Sequence, residues 1–147
     1  MFKNLRASWL EAVENFKYEL EKDSTLDSSQ ARTEKMQSKI QEAENLISRL
    51  KMEIEHCSTQ TEKEIEEISN CKRRKQLALD IDDKETAKIA QEYLLRHTRN
   101  SKIFKQKNLA LQNELKMREE QLQFMLRMFQ KAKLGETKTY ASQSFDQ

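Results

Sequence analysis

Proline is absent from the chain and glycine occurs once, at Gly135. With those breakers missing, almost nothing in 147 residues interrupts a helix. Strand signals are missing too, because no run of alternating β-branched residues is bounded by turn clusters. No stretch approaches the roughly 18 consecutive apolar residues of a membrane span. Glu11 and Glu14 interrupt the apolar core that a signal peptide would need. A cytoplasmic protein, soluble or peripheral to a membrane, is the expectation.

Chemistry-bearing patterns are equally scarce. The sequence has no phosphate-binding glycine loop, no nucleophile elbow and no His-Glu-x-x-His. No Cys/His cluster has zinc-site spacing: His56 adjoins Cys57, but His97 falls well off register from both. Neither a metal, nor a cofactor, nor an enzyme activity is expected. Cys57 and Cys71 are the only cysteines. Fourteen residues of one straight helix would hold them about 21 Å apart, too far for a disulfide. They read as small seam residues. A formal net charge of +2 gives no argument for nucleic acid. The densest basic run, Lys72-Arg73-Arg74-Lys75, has no interleaved aromatics for base stacking. It suits a solvated face, or contact with an acidic partner or lipid.

What the sequence does have is helical periodicity. In residues 1–22, Phe2, Leu5, Trp9, Ala12, Val13, Phe16 and Leu20 fall within an arc of roughly 100°. Residues 23–29 follow as a linker of cap and turn types, with Leu26 placed before the cap Asp27. A first arm then alternates spacings of three and four. One position holds Thr33, Ile40, Ile47, Ile54, Thr61, Ile68 and Lys75; the other holds Met36, Ala43, Leu50, Cys57, Glu64, Cys71 and Ala78. The second arm repeats the pattern, first with Ala87, Leu94, Ser101, Asn108, Leu115, Leu122 and Phe129. Its alternate position holds Ala90, His97, Phe104, Leu111, Arg118, Met125 and Ala132. Such seams define coiled coils, and a hydrophobic fraction of 36% suits seams this thin.

Between the arms, Asp82 or Asp83 can cap a new helix, and Asp82 with Glu85 has the form of a capping box. A new cap inside a helical pattern means a stop, a turn and a restart. The fold class is therefore all-α: an N-terminal amphipathic helix, then a long antiparallel coiled-coil hairpin over 30–134 with its tip near 80–83. Folded about that tip, facing residues have a constant sum of numbers. Ile47 then meets Leu115, Leu50 meets Leu111, Cys57 meets Phe104, and Glu64 meets His97. The run Glu62, Glu64, Glu66 and Glu67 lies level with Arg96, Arg99 and Lys102, and Glu53 and Glu55 with Lys105 and Lys107. Lys131, Lys133 and Gly135 suit the end of the second arm. The polar tail 135–147 reads as disordered.

The first helix is the leading functional candidate. Phe2, Leu5, Trp9, Val13, Phe16 and Leu20 beside Lys3 and Arg6 suit insertion into an anionic interface. The same face would equally suit docking on the hairpin or on a partner subunit. Off-seam apolar residues, Leu46, Ile65, Ile89, Tyr93, Ile103 and Leu126, offer faces for oligomerisation.

At the tip, Ala78-Leu79, then Glu85, Ala87, Lys88 and Ala90 resemble a family pattern, A-L-x-x-G-x-E-[DE]-L-A-R-x-A-L. It is the pattern of the phage shock protein A and inner-membrane-associated (vesicle-inducing) family, the bacterial and plastid branch of the ESCRT-III superfamily. The first helix, ending Leu20-Glu21-Lys22, and the distance of the tip from the N-terminus are similar to that family as well. Asp82 stands where glycine is common, Thr86 and Gln91 where the pattern has leucine, and Lys88 where it has arginine. The resemblance covers about residues 1–133 and implies a self-assembling peripheral membrane scaffold that protects or remodels bilayers. The implied place is the inner face of the cytoplasmic membrane. Implied partners are anionic membrane lipids, further copies in a homo-oligomer or polymer, and a longer paralogous subunit. The alternative is a soluble coiled-coil adaptor or cochaperone whose first helix binds a protein.

Overall fold

The computed structural model describes the backbone of residues 2–21 and 29–145, and the side chains of 4–20 and 30–135. The described residues form three helices: α1 Phe2–Glu21, α2 Ser29–Asp80 and α3 Lys84–Phe145. Among the described residues there is no strand. Most of the linker read at 23–29 lies outside the described residues. The chain divides into two compact units, one of Met1–Leu50 with Leu115–Gln147, the other of Lys51–Glu114.

In the unit of Lys51–Glu114, every residue that the three-and-four spacing assigns to the seam is buried or half-buried. Cys57, Cys71, Ala78, Ala87, Ala90, Ser101 and Leu111 are the buried ones. Contacts across it join Cys57 to Phe104, Glu64 to His97 and Lys75 to Gln91. The α3 number falls as the α2 number rises. Towards the turn the buried residues are cysteine and alanine, small enough for the two backbones to approach closely.

The turn is closed by hydrogen bonds from Asp82 N to the Leu79 carbonyl (3.1 Å) and from Asp83 N to the Ala78 carbonyl (2.8 Å). This is the Schellman arrangement, which needs one residue in the left-handed region. That residue is Asp82, with φ 55°. Asp83 then starts α3. Its Oδ1 accepts from the Thr86 backbone N–H (3.1 Å) and its Oδ2 from the Thr86 hydroxyl (2.6 Å). The capping pair is thus Asp83 with Thr86 rather than Asp82 with Glu85, because Asp82 is spent on the left-handed turn.

In the unit of Met1–Leu50 with Leu115–Gln147, α1 forms a third layer. Trp9, Ala12 and Phe16 of α1 join Met36, Ile40, Ala43, Leu46 and Ile47 of α2 and Met125 of α3 in one buried cluster. Leu46 and Leu126 therefore do not form an exposed face: Leu46 is buried in this cluster and Leu126 is half-buried against it. A two-helix pattern has no place for them, and the third helix supplies one. At the other end of the chain α3 runs through Gly135 to Phe145. Glycine in a helix costs only about 1 kcal/mol against alanine. Gly135 has no positive φ, and no proline follows to enforce the stop. The helical backbone thus enters the stretch read as a polar tail.

Candidate functional site

The site with the most specific chemistry is the seat of α1. Trp9 and Phe16 are among the largest fully buried side chains, at 2% and 1% exposure. Leu5, Val13 and Leu20 are half-buried and pack against the same cluster. The apolar arc of α1 is therefore covered by α2 and α3. Arg6 and Lys17 are exposed, and the side chains of Phe2 and Lys3 lie outside the described residues.

Polar groups on α3 fix the indole. Trp9 Nε1 donates to Gln121 Oε1 at 2.6 Å. The Arg118 guanidinium lies over the indole ring, 5.0 Å from its centroid. It also donates to the same Gln121 oxygen at 3.5 Å, a long contact. Arg118 is buried, at 5% exposure, so the ring face, the amide and the guanidinium satisfy one another away from bulk water. Ala43, a small residue, is buried in the same cluster as Trp9. At the other end of α1, Arg32 donates to the Glu19 carbonyl at 3.0 Å and to the Leu20 carbonyl. A cation on the last carbonyls of a helix supplies partners they otherwise lack and complements the helix dipole. Lys35 stands 4.0 Å from Glu19 Oε1.

Beside the seat, α1 and α3 leave an open groove of about 490 Å³, lined by Val13, Phe16, Lys17, Met117, Glu120, Gln121, Phe124 and Met125. Met117 and Phe124 on its wall are exposed.

The tip residues separate into two groups. Ala78, Ala87 and Ala90 are buried in the seam, whereas Leu79, Asp82, Glu85 and Lys88 are exposed. Donation by the Thr86 hydroxyl, and then by its backbone N–H, holds the Asp83 carboxyl below its ordinary range. In the basic run, Lys75 turns inward and donates to Gln91 Oε1 at 2.8 Å, while Lys72, Arg73 and Arg74 are exposed. Cys57 and Cys71 are free thiols in the seam. The Cys57 thiol donates to the Phe104 carbonyl at 3.1 Å. His97 Nδ1 and Glu64 Oε2 meet at 2.6 Å, as the register predicts. The exposed charges behave differently: among the described residues no ion pair joins Glu62, Glu66 or Glu67 to Arg96, Arg99 or Lys102. Those side chains point out from the seam rather than across it. No group of three or more potential metal ligands occurs among the described residues, and no helix there is long and apolar enough to cross a membrane.

Sequence reasoning missed Arg118, Gln121 and Arg32. Arg118 carried a signal, a lone cation in a seam row with alanine as its partner. No family model matches the chain, and neither a curated protein nor a solved structure does.

Proposed function

We propose that the chain is a peripheral scaffold that self-assembles and attaches to anionic membranes by α1, on a long antiparallel coiled-coil hairpin formed by α2 and α3. The observation that supports this reading is the composition of α1's single apolar face. Trp9, Val13, Phe16 and Leu20 with flanking Lys3 and Arg6 match what an anionic interface takes up. That face also fits its seat on the hairpin, so α1 exchanges between two apolar surroundings. Burial of each large side chain is worth about 1.5–3 kcal/mol in either place. The exchange is therefore decided by smaller terms, such as the roughly 1 kcal/mol that each basic residue gains near an anionic surface. Scaffolds of this kind sit on the cytoplasmic face of the membrane that they protect or remodel.

A second reading has an observation of its own. Trp9 is 2% exposed and hydrogen-bonded to Gln121, which suits a soluble adaptor whose α1 is a permanent third helix. Emission wavelength does not separate the two, since a docked indole is already out of water. Quenching of Trp9 by vesicles with brominated acyl chains does. The membrane reading expects quenching with anionic vesicles that weakens with salt. Absence of quenching at every lipid ratio would sink it and leave the adaptor.

A further inference from the structure

The unit of Lys51–Glu114 has edges of opposite sign. From Tyr93 to Asn113, α3 contains no acidic residue and five basic ones, Arg96, Arg99, Lys102, Lys105 and Lys107. From Met52 to Ser69, α2 contains six glutamates and one lysine. The outward side chains follow from the seam. Glu66 stands two residues from both Glu64 and Ile68, and Arg99 two residues from both His97 and Ser101. At 100° per residue each lies about half a turn from the seam. Glu62, Glu66, Arg96 and Arg99 are all exposed, and none has an ion-pair partner among the described residues. Arg96 rests over the ring of Tyr93 on its own helix, 5.3 Å from the centroid.

Apolar side chains interrupt both edges. Met52 on α2 is 69% exposed, and Leu109 on α3 is 61% exposed. The contacts Cys57–Phe104 and Glu64–His97 share one sum of residue numbers. That sum sets Met52 level with Leu109, Glu62 level with Arg99, and Glu66 within one residue of Arg96. A second copy moved sideways, with no shift along the helices, would meet three matched pairs at once.

We propose that the outer edge of α3 in this unit binds the outer edge of α2 in a second copy. The inference rests on the self-assembly part of the proposed function and names its interface. The contact is heterologous, since each copy offers one acidic and one basic edge. Repeating it gives a ring or an open filament rather than a closed dimer. A lipid surface could satisfy the basic edge but would leave the acidic edge, which carries the matching spacing, without a role. Exposed charges at these distances are screened by salt, so assembly weakens as ionic strength rises.

Sedimentation velocity of the full chain tests this, using wild type, Glu62→Lys/Glu66→Lys and Arg96→Glu/Arg99→Glu, each checked for helicity by circular dichroism. Wild type in about 0.02 M salt is expected to sediment at many times the monomer mass of 17.5 kDa, and severalfold smaller in about 1 M salt. Each double variant alone sets like charges against each other at both charged pairs of the contact and should stay monomeric. An equimolar mixture of the two variants should assemble again, because opposite charges then face each other at those pairs. Variants that assemble alone as wild type does, or a mixture that fails to recover, overturn the proposed edges while leaving self-assembly standing. Wild type that is monomeric in low salt, with and without anionic vesicles, removes self-assembly as well. Loss of vesicle binding in Arg96→Glu/Arg99→Glu alone, with assembly intact in both variants, assigns the basic edge to lipid and overturns the inference.

Discussion

Phe16→Ala measures how firmly α1 is seated. In a core that cannot relax, replacing a phenylalanine at 1% exposure by alanine costs about 3–5 kcal/mol. Here the loss has a ceiling. The first helix can leave its seat, so the penalty cannot exceed the free energy that holds α1 in place. An isolated helix of 20 residues is marginal in water, so a released α1 also loses helical protection. Each 1.4 kcal/mol is tenfold in an equilibrium, and a 3 kcal/mol loss therefore raises the open population about a hundredfold. Native-state amide exchange reads this directly. Protection in α1 is expected to fall by about two orders of magnitude, whereas amides of 57–78 and 87–104 keep theirs. The reasoning fails if protection drops uniformly through all three helices, which would make α1 part of one cooperative core. It fails equally if α1 exchanges as before, because Phe16 would then contribute nothing to its seating.

Gln121→Leu should destabilise the α1 seat by about 1–3 kcal/mol, because the Trp9 N–H would be left buried without an acceptor; thermal melts followed by Trp9 emission check this, and an unchanged midpoint would count against the contact. Asp82→Gly should stabilise the chain by about 0.5–1 kcal/mol in a urea melt, since glycine adopts the left-handed turn without the strain that an aspartate carries, and Asp82→Val should do the reverse. The Asp83 carboxyl is held below its ordinary range by Thr86, so its contribution is present above the ordinary carboxylate range and is lost as pH falls through its lowered folded value. Protection of amides near the turn should drop in that acid window, and Asp83→Asn should flatten the profile; an unchanged profile in the variant would remove Asp83 as its source.

Much of this fold is written in the spacing. Every seam position read from the threes and fours is buried or half-buried, and the pairing of Glu64 with His97 follows from arithmetic about the tip. The sharper detail at the turn was less legible. Both Asp82 and Asp83 are capable caps, and only the backbone shows that the first takes the left-handed position and the second the cap. The destination of α1 was not legible, because an apolar arc looks the same whether lipid or protein covers it. The hints lay elsewhere in the chain. Leu46 and Leu126 are apolar beside the seam, and Arg118 interrupts a seam row opposite Ala43. Together they mark a third helix, but a pattern scored on two helices treats them as spare surface. Gly135 misled for a different reason: glycine stops a helix by adopting the left-handed conformation, and this glycine adopts an ordinary helical one.

Attachment and assembly should be separable by mutation. The residues that seat α1 belong to the unit of Met1–Leu50 with Leu115–Gln147, whereas the charged edges belong to the unit of Lys51–Glu114. The seat and a bilayer compete for the same face of α1. Weakening the seat with Gln121→Leu should therefore increase binding to anionic vesicles, although the substituted residue makes no lipid contact of its own. The same substitution should leave the salt-sensitive sedimentation of lipid-free protein unchanged. Glu62→Lys/Glu66→Lys should act in the opposite sense, removing assembly while Trp9 remains open to quenching by brominated lipid. An α1 that binds membrane without leaving its seat would show no gain from Gln121→Leu. That result would refute the competition, and with it the view that one apolar face serves both the folded core and the membrane.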